Sequence, residues 1–337
     1  MKQSSGIISI APPEEDAPEG TDAAEEVEWR ELVVGQAHHQ TRIDRALAEL
    51  LPEFSRSYVQ QLIQTGMVRC HGVTVSKPAQ RVKVSDPILV ELRPTPQSQA
   101  FTPQAMPLEV VYEDSDVLVI NKQAGLVVHP APGNWSGTLL NGLLAHDPVF
   151  SLMPRAGIVH RLDRDTSGLM VVAKNRRSMD ALVLAIAART VSRQYLAIGM
   201  NPWTGAASRS LEAAIGRDPR NRLRMAVVDL AQHAGKPART DFSLLRNFDN
   251  ACLVHCKLHT GRTHQIRVHM ASIRHPLVGD STYGGSALLG MSRQALHATH
   301  LAFAHPQSGK PMAFDALAPR DFASLLDALE KSAAPPG

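Results

Sequence analysis

The chain has 337 residues but only three cysteines, and aromatic residues make up 4% of it. The cysteine count is odd, and CLVHC (252–256) lacks the paired spacing of a zinc site, so buried thiols in a reducing compartment are expected. The scarcity of aromatic rings argues against a surface that stacks many successive bases of a single nucleic acid strand.

Long apolar runs are also missing. The longest stretches, such as LMVVA (169–173) and DVLVI (116–120), fall far short of the roughly 20 residues that cross a bilayer. The N-terminus, MKQSSGIISIAPPEED, has no basic region followed by an apolar region, which argues against a secretory signal. No membrane association is therefore expected, and the cytoplasm is the expected location.

The formal net charge of +3 hides an uneven distribution along the chain. Residues 1–30 contain eight acidic and two basic residues and carry about −6, which leaves about +9 on the remainder. A basic body of this kind suits a polyanionic partner such as a nucleic acid. A need for solubility alone would also explain the charge, so local motifs are needed to distinguish nucleic-acid binding from simple solubility.

Composition divides the chain into two predicted domains with tails. Residues 1–35 combine Pro, Gly, Glu and Ala with few large apolar groups, which predicts a disordered acidic tail. Four prolines without an apolar period mark residues 93–107 as a linker. We therefore predict a small domain at 40–92, a larger one at 108–328, and a second disordered tail at 329–337.

The small domain begins with two helical patterns between residues 41 and 66, where apolar residues recur at helical spacing. Ser55 is predicted to cap the second helix and Gly66 to end it. VRCHGVTV then predicts a hairpin that turns at its central His-Gly pair, and VSDPILVEL predicts the returning strand.

This segment resembles the S4 RNA-binding domain over about fifty residues. The shared pattern is an arginine and an aspartate that open helix one, a Ser-Arg-Ser start to helix two, and a lysine-proline step. This sequence departs from the family pattern at Ser85 and Asp86, where members of the family usually have glycine-aspartate. The resemblance implies RNA binding, with phosphate contacts expected from Arg42, Arg56 and Lys77, whereas an ordinary solvated surface is the alternative.

In the larger domain, β-rich runs such as EVVYEDSDVLVINK and ACLVHCKLH mix with helical runs such as SMDALVLAIAA. These runs do not alternate as strict βαβ units. The expected fold class is therefore α+β, with a mixed, largely antiparallel sheet.

Residues 160–168, HRLDRDTSG, hold two aspartates two positions apart. On a strand, Asp163 and Asp165 would share one face about 6.6 Å apart, near the carboxylate spacing of glycoside hydrolases. Glycosidase carboxylates flank the scissile bond from two sides, however, and Thr-Ser-Gly indicates a turn that points the two side chains differently. A glycoside hydrolase and a purely structural turn are the alternatives that these residues leave open.

The longer segment GIVHRLDRDTSGLMVVAK resembles the catalytic motif of RNA pseudouridine synthases, in the branch with an HRLD signature that modifies ribosomal and transfer RNA. The resemblance continues through EDSDVLVINKQAGLVVHPAPGNWSGTLLNGLLAH, with Gln123 where proline is usual. It also covers ARTVSRQYLAI, with Arg193 where lysine is frequent, and HTGRTHQIRVHMASIRHPLVGDSTYGG. It implies the pseudouridine synthase fold and the isomerisation of specific uridines in RNA, without a cofactor.

Together with the N-terminal module and SRQALHATHLAFAHP, the resemblance is strongest to the subgroup that acts on large-subunit (23S) ribosomal RNA. A folded stem-loop is the expected substrate. The expected partner is therefore RNA, as naked RNA or as an assembling large ribosomal subunit, and the chain is expected to act as a monomer. The alternative is a non-catalytic RNA-binding factor for ribosome assembly.

The resemblance assigns the catalytic aspartate to Asp163 and leaves Asp165 at a variable position. The carboxylate would serve as a nucleophile toward the sugar or the base, or would assist loss of a proton from the sugar, and the sequence does not separate these routes. The resemblance also assigns Tyr195, as a ring that stacks on the uracil and removes the carbon-five proton, and Arg267, as the basic partner of the aspartate.

Local patterns support the position of Arg267. Ile266, Met270 and Ile273 recur at helical spacing after the strand ACLVHCKLH, which predicts a turn at Gly261 followed by a helix that Thr263 caps. Arg267 would then lie in the first turns of this helix.

Further RNA contacts are expected from arginines outside the catalytic set. Arg161 lies inside HRLD, where a long cation can fill the gap left by a uridine that has flipped out of its stack. Arg220 and Arg222 belong to GRDPRNRLR (216–224), a predicted hairpin, and an exposed charged loop is the alternative interpretation. No metal site is expected, because the clusters His297, His300, His305 and His264, His269 lack convincing ligand spacing.

Overall fold

The computed structural model of the chain describes residues 28–92, 98–131 and 133–332. The chain divides into two units, Met1–Thr95 and Pro96–Gly337, and each unit has its own buried apolar cluster. Across these described residues, no helix combines the length and the apolar character that a bilayer crossing requires.

The first unit packs two short helices against a four-stranded antiparallel sheet of strand order β1-β4-β2-β3. The elements are β1 (Glu28–Val33), α1 (Ile43–Leu50), α2 (Arg56–Gln64), β2 (Val68–Cys70), β3 (Val73–Thr74) and β4 (Pro87–Leu92). The predicted helices, hairpin and returning strand are confirmed. So is the predicted cap of α2, because Ser55 Oγ accepts a hydrogen bond of 3.3 Å from the Tyr58 N–H.

Strand β1 corrects the prediction that the chain is disordered through residue 35. It pairs with β4 along its whole length, from Glu28 opposite Leu92 to Val33 opposite Pro87. None of its residues is fully buried, so the strand shows little of the apolar pattern by which a sequence reveals one. Backbone pairing with an existing strand orders it instead. The remainder of the predicted tail, residues 1–27, lies outside the described residues.

A buried carboxylate joins the two helices of this unit. Asp44, at the start of α1, is fully buried and accepts hydrogen bonds from Arg42 (3.0 Å), Arg56 (2.9 Å) and Gln60 (2.6 Å). Burial alone would raise the pKa of Asp44, but these hydrogen bonds outweigh it and hold the pKa well below its usual range. The two arginines expected to meet RNA therefore also have a structural partner.

We expect Asp44→Asn to destabilise the first unit by about 2–4 kcal/mol, because it removes the charge that two half-exposed guanidinium groups share. In wild type, the ionised Asp44 contributes its full stabilisation above the pKa of about 4 that this carboxyl has in the unfolded chain. That stabilisation is lost as the pH falls through the lowered pKa of Asp44 in the folded state. Calorimetry of the full chain between pH 3 and 7 measures the effect. A matched loss in Glu49→Gln, whose exposed carboxylate pairs with Arg45, would contradict it.

The second unit is built on a nine-stranded sheet of order β5-β6-β7-β15-β8-β14-β13-β9, with β16 paired to β15. Among its described strands only the β7–β15 pair is parallel, so the predicted α+β class with a mixed, largely antiparallel sheet is confirmed. The elements before the small second sheet are β5 (Val110–Glu113), β6 (Val117–Lys122), α3 (Leu139–His146), β7 (Ser167–Ala173), α4 (Arg176–Ala187), β8 (Ser192–Met200) and β9 (Ser208–Glu212).

The small second sheet has the order β11-β10-β12. It packs on α5 through a small apolar cluster that includes Ile215, Val268 and Tyr283. The remaining elements are β10 (Ile215–Arg217), β11 (Met225–Val227), β12 (Gly235–Lys236), β13 (Arg239–Asn247), β14 (Ala251–Leu258), α5 (Gln265–Ser272), β15 (Leu296–Ala304), β16 (Pro311–Asp315) and α6 (Arg320–Ser332).

Two predicted boundaries shift in this unit. Residues 98–107, the second part of the predicted linker, join the domain: the Gln104 N–H donates to the Asn141 carbonyl at 3.0 Å, and Met106 packs on the core. Residues 93–97 lie outside the described residues.

At the other end, α6 buries Leu329 completely and continues to Ser332. A disordered tail from residue 329 is therefore wrong up to Ser332, and 333–337 lie outside the described residues.

Close backbone packing fixes the start of β7. Gly168 has φ +116°, and a Cβ built there would lie 2.2 Å from the Ala298 carbonyl oxygen of β15. No side chain fits at that distance, so glycine is required where the two strands meet. The segment that precedes Gly168 carries both aspartates of HRLDRDTSG, and the meeting of β7 with β15 therefore positions it.

Candidate active site

The segment before β7 forms the turn that Thr-Ser-Gly predicts. The Thr166 N–H donates to the Asp163 carbonyl at 3.1 Å. Arg164, between the two aspartates, has its carbonyl oxygen bound by the Lys122 ammonium (2.9 Å) and by the Gly125 N–H (2.9 Å). The loop after β6 therefore anchors the turn next to Asp163.

Lys122 is almost fully buried and has a structural function in this anchor. Its Nζ donates to three backbone carbonyls, those of Gln123, Leu126 and Arg164, at 2.8–2.9 Å. Burial lowers the pKa of Lys122 to about 7, against the opposing effect of the Asp165 and Asp163 charges. Gln123, the departure from the family proline, is exposed at this turn.

The two aspartates of the motif face different surroundings. Asp163 lines a cavity of about 350 Å³, with 16% of its side chain exposed. Asp165 does not line this cavity. Its carboxylate pairs with the neighbouring Arg164 at 3.1 Å, and its carbonyl accepts from Arg293 at 2.9 Å. The two carboxylates therefore do not act on one bound group, and the glycoside hydrolase alternative loses its only support.

Arg267 is the basic partner of Asp163, at 3.3 Å from Nη1 to Oδ2. A second carboxylate holds the same guanidinium: Asp280 accepts from Nε (2.7 Å) and from Nη2 (2.9 Å), and it is 1% exposed. Burial would lower the pKa of Arg267, but the hydrogen bonds and charge of Asp280, followed by those of Asp163, raise it above its ordinary value. The bidentate contact fixes the guanidinium plane, so the remaining nitrogen points at Asp163.

Helix α5 presents Arg267 in its first turn, as predicted, but the predicted cap is wrong. The helix begins at Gln265, and His264 precedes it in a left-handed conformation (φ 56°) without a side-chain cap. The turn is closed by Gln265, whose Oε1 accepts from the Thr260 hydroxyl (2.7 Å) and from the Arg262 N–H (3.0 Å). The buried side chain of Gln265 therefore stabilises the start of the helix in place of the expected Thr263 cap.

Two aromatic groups complete the surroundings of the Asp163–Arg267 pair. The Arg267 guanidinium lies 5.0 Å from the centroid of the Tyr283 ring. The Tyr283 hydroxyl accepts from the Met225 N–H and contacts His264 Nδ1 at 2.8 Å, and His264 Nε2 lies 3.8 Å from Asp163 Oδ1. Burial lowers the pKa of His264 despite the charge of Asp163, which favours a neutral ring at neutral pH.

Tyr195 lies on β8 in the wall of the same cavity and is buried. Burial raises the pKa of its hydroxyl to about 12, the positive charge of Arg193 opposes the shift, and the negative charge of Asp163 adds to it. The structure therefore brings all three predicted catalytic residues, Asp163, Tyr195 and Arg267, to one cavity.

The predicted RNA-binding residues do not share one environment. Arg161 is exposed at the cavity, and Lys77 is exposed in the first unit. Arg220 and Arg222 are exposed on the loop of the β10–β11 hairpin, which was predicted. Arg42 and Arg56 bind Asp44, as described above.

Two of the histidines considered as metal ligands, His297 and His269, make other contacts. His297 bonds to Ser167 (3.0 Å) and to the Ala316 carbonyl (3.2 Å), and His269 bonds to Thr240 (2.9 Å). In the described part of the chain, two groups of three side chains have ligand atoms close enough for an ion, and neither lies in the cavity. They are Cys70, His71, Asp86 and Asp114, Asp116, His305.

Sequence reasoning missed several residues of this site. Asp280 and His264 both lie in HTGRTHQIRVHMASIRHPLVGDSTYGG, but no spacing rule links either one to Asp163. Three further arginines that line the cavity also had no predicted function: Arg189, Arg193 and Arg262.

Comparison with known proteins identifies the two units. Residues 41–88 match the S4 domain model, and residues 116–272 match the model described as RNA pseudouridylate synthase. A structure of human RNA Pseudouridylate Synthase Domain Containing 1 is similar, with 29% identity and a TM-score of 0.50, over 63% of this chain and 84% of that one.

Two curated relatives are more similar in sequence, and both are named ribosomal large subunit pseudouridine synthase D. The protein from Neisseria meningitidis serogroup B is 47% identical over 305 residues, which are 87% of this chain and 79% of that protein. The protein from Xylella fastidiosa is 45% identical over 318 residues, which are 90% of this chain and 94% of that protein. This chain therefore belongs to the RNA pseudouridylate synthase family and is an enzyme that forms pseudouridine in RNA.

Proposed function

We propose that this enzyme isomerises specific uridines in a stem-loop of large-subunit (23S) ribosomal RNA, with Asp163 as the catalytic carboxylate. The observation that carries the proposal is the cavity in which Arg267 contacts Asp163 and Tyr195 supplies a buried ring. The names of the curated relatives support the ribosomal substrate. The S4 domain supports an RNA of folded shape, as does the scarcity of aromatic side chains.

The reaction breaks the bond from the ribose to uracil N1, rotates the base, and joins the ribose to carbon five, which then loses its proton while N1 gains one. Atoms and electrons balance within the nucleotide, so neither water nor a redox partner is consumed. Asp163 would attack the sugar or the base, or would take a proton from the sugar. In each route Arg267 balances the carboxylate charge and, because Asp280 holds it, keeps the oxygen aimed into the cavity.

Tyr195 is proposed to stack on the uracil and to take the carbon-five proton at the end of the reaction. A pKa of about 12 keeps the hydroxyl protonated at pH 7, so Tyr195 has to pass its own proton on to the base, whose N1 gains a proton in the product, as it takes the proton from carbon five. Until that step, the neutral ring offers an apolar face to the base.

The three proposed catalytic residues, Asp163, Tyr195 and Arg267, all line one cavity of a single chain. We propose on this ground that the enzyme acts as a monomer. Because the proposed substrate is ribosomal RNA, we also propose that the enzyme acts in the cytoplasm.

Asp163→Asn is expected to reduce tritium release from carbon-five-labelled uridine in ribosomal RNA by at least about 10³-fold, because the amide is neither a nucleophile nor a base. Asp165→Asn is the matched control in the same turn and is expected to stay within about threefold of wild type, since its carboxylate faces Arg164. Full activity of Asp163→Asn would contradict the assignment. Absence of tritium release from wild type as well would count against the proposed ribosomal substrate.

Asp280→Asn tests the support of Arg267. We expect kcat to fall about 10- to 100-fold with a smaller change in KM, because the guanidinium loses its fixed plane and no longer aims at Asp163. The variant leaves a buried cation underpaired, so circular dichroism has to establish first that it is folded. A folded variant with wild-type kcat would show that Asp280 has no part in positioning Arg267.

The exposed arginines of the β10–β11 loop are proposed to follow the RNA backbone. Arg220→Ala with Arg222→Ala should weaken RNA binding uniformly, and the slope of log Kd against log salt should fall by about one for each phosphate that the variant no longer binds. Arg176→Ala on α4, where the arginine pairs with Asp180, is the control. If both variants show the same slope of log Kd against log salt, the RNA does not contact the β10–β11 loop.

A further inference from the structure

Arg193 is a buried guanidinium for which the structure shows no carboxylate among the described residues. It lies on β8 with 7% of its surface exposed, and its Nε is fully buried without a hydrogen-bond partner. Within the described residues no ion pair involves it, whereas Arg267 in the same cavity has two carboxylates. Asp163, the carboxylate that lines the described cavity, is already bound to Arg267.

The guanidinium of Arg193 faces the cavity beside the catalytic groups. Arg193 and Tyr195 are two positions apart on β8 and so point to one face, about 6.6 Å apart along the strand. Both line the cavity with Asp163. Across it, a Cβ at Gly261 would lie 2.7 Å from Arg193 Nη1, so the turn before α5 leaves room for this group by having no side chain there.

An arginine in this position cannot relieve its burial by losing its proton, because guanidinium stays charged at any pH that a folded protein meets. A buried cation without a partner is costly, so its presence in a cavity indicates a group that binds an anion there. The base and sugar of a uridine are neutral at pH 7. The anionic group that an RNA substrate brings into the cavity is therefore its phosphodiester, which matches the fork of a guanidinium.

We propose that Arg193 binds one of the two phosphodiesters that flank the target uridine and thereby holds the flipped nucleotide over Tyr195. This inference rests on the proposed function. It assigns to Arg193 the anchoring of the backbone and leaves the chemistry of the base to Asp163, Tyr195 and Arg267.

The test uses a stem-loop RNA with a neutral methylphosphonate in place of either flanking phosphate, one position at a time. Binding is measured for the full-length wild type, Arg193→Gln and Arg193→Lys. Wild type should lose about 10- to 100-fold in affinity at one of the two positions. Arg193→Gln should show that loss already on unmodified RNA and no further loss on the modified RNA, whereas Arg193→Lys should retain part of the sensitivity.

Arg246→Gln is the control variant, because Arg246 is exposed and pairs with Glu330. It should respond to the methylphosphonate as wild type does. If the methylphosphonate lowers the RNA affinity of Arg193→Gln as much as it lowers that of wild type, the proposal is wrong. An Arg193→Gln variant whose pH–rate profile shifts while its methylphosphonate sensitivity is intact would also overturn it, since Arg193 would then act only on the Tyr195 proton.

Tritium release by wild type on the unmodified RNA separates this proposal from the function on which it rests. Absence of release would count against the proposed substrate, whatever the binding data show. Release together with equal methylphosphonate losses in wild type and Arg193→Gln would count against Arg193 alone.

Discussion

The cavity that we propose as the active site depends on one guanidinium group, that of Arg267. It joins the turn before β7, through Asp163, to the segment after α5, through Asp280, although these aspartates are separated by more than a hundred residues. A buried charge network of this kind is stable only when every partner is present. The central strands and α5 therefore have to be in register before the site exists.

The difference between Asp163 and Asp165 shows what a spacing rule lacks. Their separation in the sequence allowed a two-carboxylate site, and the family resemblance selected Asp163. The structure adds a physical reason, because Arg164 and Arg293 bind the carboxylate and the carbonyl of Asp165 away from the cavity. Local turn chemistry predicted that the side chains diverge, but it could not predict which of them meets Arg267.

Features held by local chemistry were predictable, and features held by distant contacts were not. The Ser55 cap, the hairpin after α2 and the helical position of Arg267 follow from residues within a few positions of one another. Strand β1 and Asp280 do not, because one is ordered by a strand about sixty residues away and the other acquires its function only when α5 has packed. The second domain extends further than predicted, because α6 buries Leu329 and continues to Ser332.

The anchored turn that carries Asp163 determines which partner, the enzyme or the RNA, has to change conformation when they bind. Lys122 and Gly125 hold the Arg164 carbonyl, and Gly168 locks the next strand against β15, so the enzyme has little freedom to reach toward a stacked base. The RNA has to move instead, and it bears the energy of unstacking. If Asp163 is the catalytic group, as we propose, uridines that already stack poorly, at loops and bulges, would be favoured.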